Sequence, residues 1–394
     1  MKMMNNSKEQ RRGSETTQLV CAAVFLLFTF VWLFWFQADL MAVAQHTLSH
    51  GTTRYSRTVG TVVITLSLLL LARLSLTFTR LYGCAHALNY LPSMLLLALL
   101  GCVNTDAGGK LCFDYWWGVF PVLTAWGVLV WMARRSCYRG STSASFTGLF
   151  SRRVWTNVLL MVAMMLGVAA VGNTNAVAHY RAHAETALSH GDYDEALRVG
   201  RRSLETDESL TMLRAYALSR QNKLGDRFFH YPLKGSGADL LPAADSRSHL
   251  LMLAADSIWQ HLGARPAPGM TTHDYLKAMS RDTLAAKSIA DYVLCAALVD
   301  RDLDSFVSAL SHFGYLNDQA ADSLPHHYRE ALILYTHLRS HPQTVYHHNV
   351  MDEDWNNLQD LEQQQSDPRS RKAAVFEHYR TSYWYYYYYG GDKR

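Results

Sequence analysis

The sequence predicts an all-α protein in two parts: polytopic transmembrane helices followed by an antiparallel helical-repeat domain. Three observations lead there. Long apolar stretches crowd the first 172 of 394 residues, whereas most carboxylates and histidines come later. Beyond residue 173, apolar and small residues recur at helical spacing. Short Gly- and Pro-bearing breaks such as "PLKGSGADLLPAADS" and "GARPAPGMTT" separate the later segments. The expected boundaries are a cytoplasmic N-terminal segment over 1–18, a membrane domain over 19–172, a helical-repeat domain over 173–350, and a polar linker with an aromatic tail over 351–394.

Five stretches reach the roughly 17–25 mostly apolar residues that a bilayer crossing requires. They are about Leu19–Ala38, Val59–Phe78, Ala85–Val103, Trp116–Ala133 and Val154–Gly172. The first, "LVCAAVFLLFTFVWLFWF", has no charge and no polar face. It is longer than the roughly 7–15 apolar residues of a signal peptide, and further spans follow it, so it reads as a permanent anchor. Arg73 in the second span lies near its inner end and would snorkel. Pro92 in the third is tolerable where neighbouring helices repair the lost hydrogen bond.

Orientation follows from the basic residues in the short loops. Lys2, Lys8, Arg11, Arg12, Arg80, Arg134, Arg135, Arg139, Arg152 and Arg153 fall on one side, and only Arg54, Arg57 and Lys110 on the other. That asymmetry puts the N-terminus in the cytoplasm and, after five crossings, everything beyond about Asn173 outside. In a bacterial chain this means the inner membrane and a periplasmic domain. The net charge of +4 implies no nucleic-acid partner, because much of the excess sits in these loops. Cys102 and Cys112 flank the outward loop "VNTDAGGKL", and the alternatives of a disulfide and two separate thiols stay open.

From about Ala176, "NAVAHYRAHAETALSHGDYDEALRVGRRSLETDESLTMLRAYALSRQNKLGDRFFHYP" reads as pairs of short antiparallel helices. Gly191-Asp192 and Gly225-Asp226 stand 34 residues apart, the tetratricopeptide period. The first unit resembles that family position by position. Tyr180 takes the large aromatic slot, Ala184 and Ala196 the small slots, and Gly191 and Tyr193 the turn, while Glu208 replaces the usual closing proline. The second copy keeps Gly225, has His230 where a small residue is expected, and is cut short by Pro232. Further helices are expected at about Asp245–Leu262, His273–Leu298, Asp302–Phe313 and Pro325–Arg339. The order of the whole chain also resembles an uncharacterised family of bacterial inner-membrane proteins with a tetratricopeptide-like C-terminal domain. The phrases "ALSRQNKLGDRFFHYP", "DRDLDSFVSALSHFG", "LPHHYREALILY" and "YWYYYYYG" carry that resemblance. It implies an architecture and no activity.

Candidate chemistry is sparse. His326-His327 and His347-His348 are adjacent pairs, but neighbours on a helix point in different directions. No HExxH occurs, so these read as packing or solvent-facing histidines and no metal or cofactor is expected. "DRDLDS" starts like a calcium loop but has Ser305 and Ser311 where glycine and glutamate are required, which makes Asp302 a helix cap. The seven consecutive aromatics Tyr383 to Tyr389 would be an aggregation hazard if left bare, so the tail is expected to dock, against the repeat helices or at the membrane interface. The expected function is recognition of an envelope protein in a concave groove, with Tyr180, Tyr193, Arg214 and Tyr216 as the candidate lining. The alternative is a membrane-embedded glycosyl or lipid-linked transferase. It resembles such enzymes in plan only, through the outward carboxylates Asp39, Asp106 and Asp114.

Overall fold

A computed structural model describes residues 2–82, 85–105, 111–113, 116–139, 151–281, 287–316 and 324–390. Among the described residues the protein is all-α apart from one short hairpin, and the chain divides into two compact units, Met1–Asn175 and Ala176–Arg394.

In the first unit, α1 (Lys2–Val31) runs into a π-helical turn (Trp32–Phe36) and α2 (Ala38–Leu48). Next come α3 (Arg57–Thr79), α4 (Leu91–Gly101), the antiparallel strands β1 (Val103–Thr105) and β2 (Leu111–Phe113), α5 (Val119–Arg139) and α6 (Arg152–Val171). Among the described residues, four segments are long and apolar enough to cross a membrane: Ser14–Phe36, Arg57–Thr79, Trp116–Ser136 and Arg152–Val171. The third expected span is apolar and helical but shorter than these four. Residues 85–103 form a 3-10 turn, His86–Tyr90, followed by the 11-residue α4. Pro92 stands in the first turn of α4, where its missing N–H removes no intrahelical bond, so it starts this helix instead of interrupting a longer one.

Short as it is, α4 runs like one leg of an alternating set. At one end, Ser14 Oγ donates to Tyr82 O (2.7 Å), Arg134 Nε to Thr79 O (2.7 Å) and Ala87 N to Asn157 Oδ1 (2.8 Å). At the other end, Arg57 Nε donates to Phe34 O (2.6 Å) and Asn173 N to Gly101 O (2.7 Å). These contacts make α1, α4 and α6 run one way and α3 and α5 the other. Phe25, Leu68, Ala72, Leu97 and Met161 are buried between them, while Leu70, Phe78, Phe120 and Leu159 face outward. Apolar side chains exposed on several long helices are what a lipid-facing surface requires. Arg73 is exposed on α3. Cys102 Sγ donates to Leu99 O at 3.2 Å, and Cys112 lies opposite Asn104 in the hairpin.

The second unit contains α7 (Ala176–Ser189), α8 (Tyr193–Arg198), α9 (Glu208–Arg220), α10 (Leu224–Arg227), α11 (Ala255–Leu262) and α12 (Thr272–Met279). It continues with α13 (Lys287–Val299), α14 (Leu303–His312), α15 (His326–Leu338), α16 (Asn349–Gln364), α17 (Pro368–Tyr379) and α18 (Tyr383–Tyr389). One turn recurs between α7 and α8, α9 and α10, and α13 and α14. Its central residue is left-handed each time: Gly191 (φ 76°), Asn222 (φ 56°) and Arg301 (φ 58°). The following N–H closes back on the carbonyl five residues earlier: Asp192 to Ala187 (3.0 Å), Lys223 to Leu218 (2.9 Å) and Asp302 to Ala297 (2.9 Å). This is the Schellman arrangement, which satisfies carbonyls that the first helix of each hairpin leaves open. Asp192 and Asp302 then cap the second helix through Glu195 N (2.9 Å) and Ser305 N (3.0 Å).

The equivalence of Gly191 and Gly225 is therefore corrected. Asn222 occupies the turn, and Gly225 lies inside α10, where a Cβ would sit 2.6 Å from the Tyr328 ring. Ala184 and Ala196 are buried at the α7–α8 contact. Beyond α10, a 3-10 turn (Phe228–His230) ends the hairpin just before Pro232. The expected helix from Asp245 begins only at Ala255. The buried Glu185 carboxylate accepts N–H bonds from Leu251 (2.8 Å), Met252 (2.6 Å) and Leu253 (2.9 Å), so these amides turn toward α7 instead of into a helix. The expected polar linker from 351 is also corrected. It forms α16, which buries Met351, Trp355 and Leu358, and α17.

Candidate functional site

The four candidate groove residues do not share one open surface. Tyr180 packs across Gly200, whose Cβ would lie 2.8 Å from its ring, and Tyr193 is half-buried beneath Arg220 (5.2 Å to the ring centre). Tyr216 and Arg214 are interior, a correction to the expected lining. Tyr216 OH donates to Ser257 O at 3.3 Å, and its ring meets Tyr193 and His261 edge-on. Arg214 lies over the Tyr231 ring (5.1 Å) and donates to Pro232 O (3.3 Å) and Thr206 Oγ1 (3.4 Å). Burial lowers its pKa to about 10. The reason is positional: residues 209–219 of α9 are buried on every face, so this helix is central and has no outer side. Asp39 lies half-buried in the first turn of α2, and Asp106 and Asp114 fall outside the described residues.

A different group of side chains meets at the start of α15. Pro325 sets the entry, and the first helical N–H, that of His326, donates to Asp226 Oδ1 (2.9 Å) at the edge of α10. From there the helix is buried on nearly all sides, with His327, Tyr328 and Glu330 to Tyr335 inside. Glu330 lies one turn on from both histidines, at i+4 from His326 and i+3 from His327, and so can reach each of them. Its Oε2 accepts from His327 Nδ1 (2.8 Å) and its Oε1 from His326 Nε2 (3.2 Å). Burial alone would push this carboxyl up, but the hydrogen bonds from His326 and His327 hold it at about 2. The same bond raises the pKa of His326. His327 is fully buried, and its Nε2 has no hydrogen-bond partner among the described residues. The rings of Phe229 (5.2 Å) and His230 (5.3 Å) meet it edge-on.

Glu330 also fastens the C-terminal tail. Tyr383 N donates to Oε2 (2.7 Å), and Trp384 Nε1 donates to the Glu330 carbonyl (2.8 Å). Tyr383 OH and Tyr386 OH donate to Leu298 O (3.2 Å) and Val299 O (2.9 Å), and Arg301 donates to the carbonyls of Tyr386 (3.3 Å) and Gly390. The aromatic run thus docks on helices of its own unit. Beneath the cluster, Tyr328 OH donates to Asp291 Oδ1 (3.0 Å), and burial raises the Asp291 carboxyl to about 6. Sequence reasoning tested the adjacent histidines against each other and passed over the Glu330 that both of them reach.

Residues 269–390, which include this cluster and the tail, match a family of unknown function (DUF6057). No curated protein and no solved structure matches the chain.

Proposed function

We propose that the chain is an integral membrane protein that holds a tetratricopeptide-like helical unit beside the bilayer to bind or organise another protein of the envelope. The carrying observation is the recurrence of one hairpin turn at Gly191, Asn222 and Arg301. Stacked helical hairpins bury a continuous core and present extended surfaces that suit protein recognition. The alternation of α1, α3, α4, α5 and α6 supports five crossings, with the short α4 as the third. Arg80, Arg134, Arg152 and Arg153 gather at the end where α1 begins, and Arg54 and Arg57 at the other, which by the positive-inside rule favours a cytoplasmic N-terminus. In a bacterial cell this orientation makes the membrane the inner one and the second unit periplasmic. The resemblance of the chain's order to bacterial inner-membrane proteins points the same way.

The test is photocrosslinking in native membranes from groups placed at half-buried Tyr193 and exposed Leu204. A single protein captured from both positions, and not from a position on α16, supports the reading. Capture of lipid-linked sugar without any protein overturns it and directs attention to Asp39.

A further inference from the structure

We propose that His326, His327 and Glu330 form a binding site for a divalent transition-metal ion of the zinc class. Among the described residues, this is the one place where three side chains of metal-ligating type bring ligand atoms together, all within 4.8 Å of one another. Ligands about 2 Å from a tetrahedral ion lie roughly 3.3 Å apart. The two nitrogen-to-carboxylate separations, 2.8 and 3.2 Å, are close to that spacing already. An ion would take the place of the hydrogens the imidazoles now direct at the carboxylate: a neutral ring keeps its proton by moving it to its other nitrogen, and a protonated ring gives one proton to water.

The surroundings are those of a built site. Glu330 is oriented from behind by Tyr383 N (2.7 Å), an outer partner of the kind that fixes a ligating carboxylate. His327 is fully buried, whereas the His326 side chain is about half-exposed (47%), so the group meets solvent at His326. Two imidazoles with one carboxylate and open positions suit zinc or a neighbouring first-row ion better than calcium or magnesium, which prefer oxygen alone. Because Tyr383 and Trp384 hang from Glu330, the ion would also brace the docking of the tail. The site stands whether or not the unit binds a protein partner.

The test uses the full chain in detergent, purified without a polyhistidine tag and titrated with Zn2+ against a chromophoric chelator. Variants are His326→Ala, at the half-exposed ligand, and His347→Ala, a control histidine with an adjacent imidazole and a carboxylate 3.5 Å away. Wild type and His347→Ala should bind one Zn2+ per chain with equal affinity, and His326→Ala, which removes a ligand, should bind at least about 10–100-fold more weakly, the loss that removal of an outer partner alone brings. The site is refuted by wild type that takes up no stoichiometric zinc, by His326→Ala binding like wild type, or by His347→Ala losing as much. Co2+ added to wild type gives a reading that needs no variant. Intense visible bands of a tetrahedral ion support the site, and the pale spectrum of a hydrated octahedral ion overturns it.

Discussion

Replacing Trp384 with alanine should loosen the whole C-terminal third of the second unit. The indole is 2% exposed, stands edge-on to Trp355 (5.4 Å between rings) and donates to the Glu330 carbonyl (2.8 Å). Truncation of a buried Trp removes its transfer free energy and leaves a cavity, together about 3–5 kcal/mol. Trp384→Phe keeps most of the ring but loses the N–H donor, so it should cost about 1–2 kcal/mol. Against the roughly 5–15 kcal/mol that holds an ordinary domain folded, the alanine change is a large fraction and the phenylalanine change a modest one. Pulse proteolysis of the full chain in detergent across a urea series reads the midpoint from the protease-resistant material that carries the second unit. The expected order is wild type, Phe, then Ala, with Tyr388→Ala close to wild type because Tyr388 is only half-buried. An alanine midpoint indistinguishable from wild type would mean the aromatic run does not dock between these helices.

Three further outcomes follow from the geometry. Glu185→Ala leaves the N–H groups of Leu251, Met252 and Leu253 without their acceptor, so it should cost about 2–3 kcal/mol and abolish hydrogen-exchange protection at those three amides. Asp291, raised by burial to about 6 from 3.8, is protonated more readily folded than unfolded; its contribution favours folding below about 4 and is lost as pH rises through 6. Asp291→Asn should therefore stabilise the protein by up to about 3 kcal/mol at pH 7 and by nearly nothing at pH 4, read as the difference between the two urea midpoints. At the recurring turn, Gly191→Ala should cost about 1 kcal/mol because alanine strains the left-handed region, whereas Asn222→Gly should be neutral or stabilising. Equal effects at the two positions would contradict the equivalence of the turns.

The sequence carried the apolar helices and the helix-rich second half legibly, because both depend on local periodicity and length. It misled where one local cue had two meanings. Pro92 can interrupt a span or begin a helix, and only the packing of α4 against its neighbours decides. A glycine every 34 residues implied a repeat register, yet in the second hairpin Asn222 took the left-handed turn, and Gly225 was needed where Tyr328 approaches the backbone. Arg214 looked like a solvent-facing groove residue because nothing local announces that α9 is enclosed on every side. The signal for α16 was present: Met351, Trp355 and Leu358 recur at i, i+4 and i+7 within a polar background. The Glu330 cluster was half legible. Its i+3 and i+4 spacings are in the text, but the burial that turns three ordinary side chains into a tight group comes from helices about 100 residues apart in sequence, as the His326–Asp226 bond illustrates.

The aromatic tail poses a problem of register that its own side chains cannot solve. Five consecutive tyrosines are interchangeable, so a helix built from them could slide by a residue and present the same chemistry to its neighbours. A helix that is apolar on every side must also be covered on every side. In α18 the cover is deepest at Tyr383 and Trp384, which are buried, and Tyr385 to Tyr389 are half-buried. Tyr383 and Tyr386 face the end of α13 and Phe229, while Tyr385, Tyr388 and Tyr389 face Phe376, Trp355 and Glu362 on α17 and α16. The register is then fixed by the residues that are not repeated. Ser382 caps the helix through Tyr385 N (3.1 Å), Glu330 takes the Tyr383 N–H, and Trp384 fills a pocket no tyrosine would fill in the same way. At the far end Arg301 collects the Tyr386 and Gly390 carbonyls. A carboxylate at the start of the helix and a guanidinium at its end also match the signs of the helix dipole. Arg301 performs this from a left-handed backbone position that its side chain does not favour, so the hairpin turn between α13 and α14 and the docking of the tail stabilise each other.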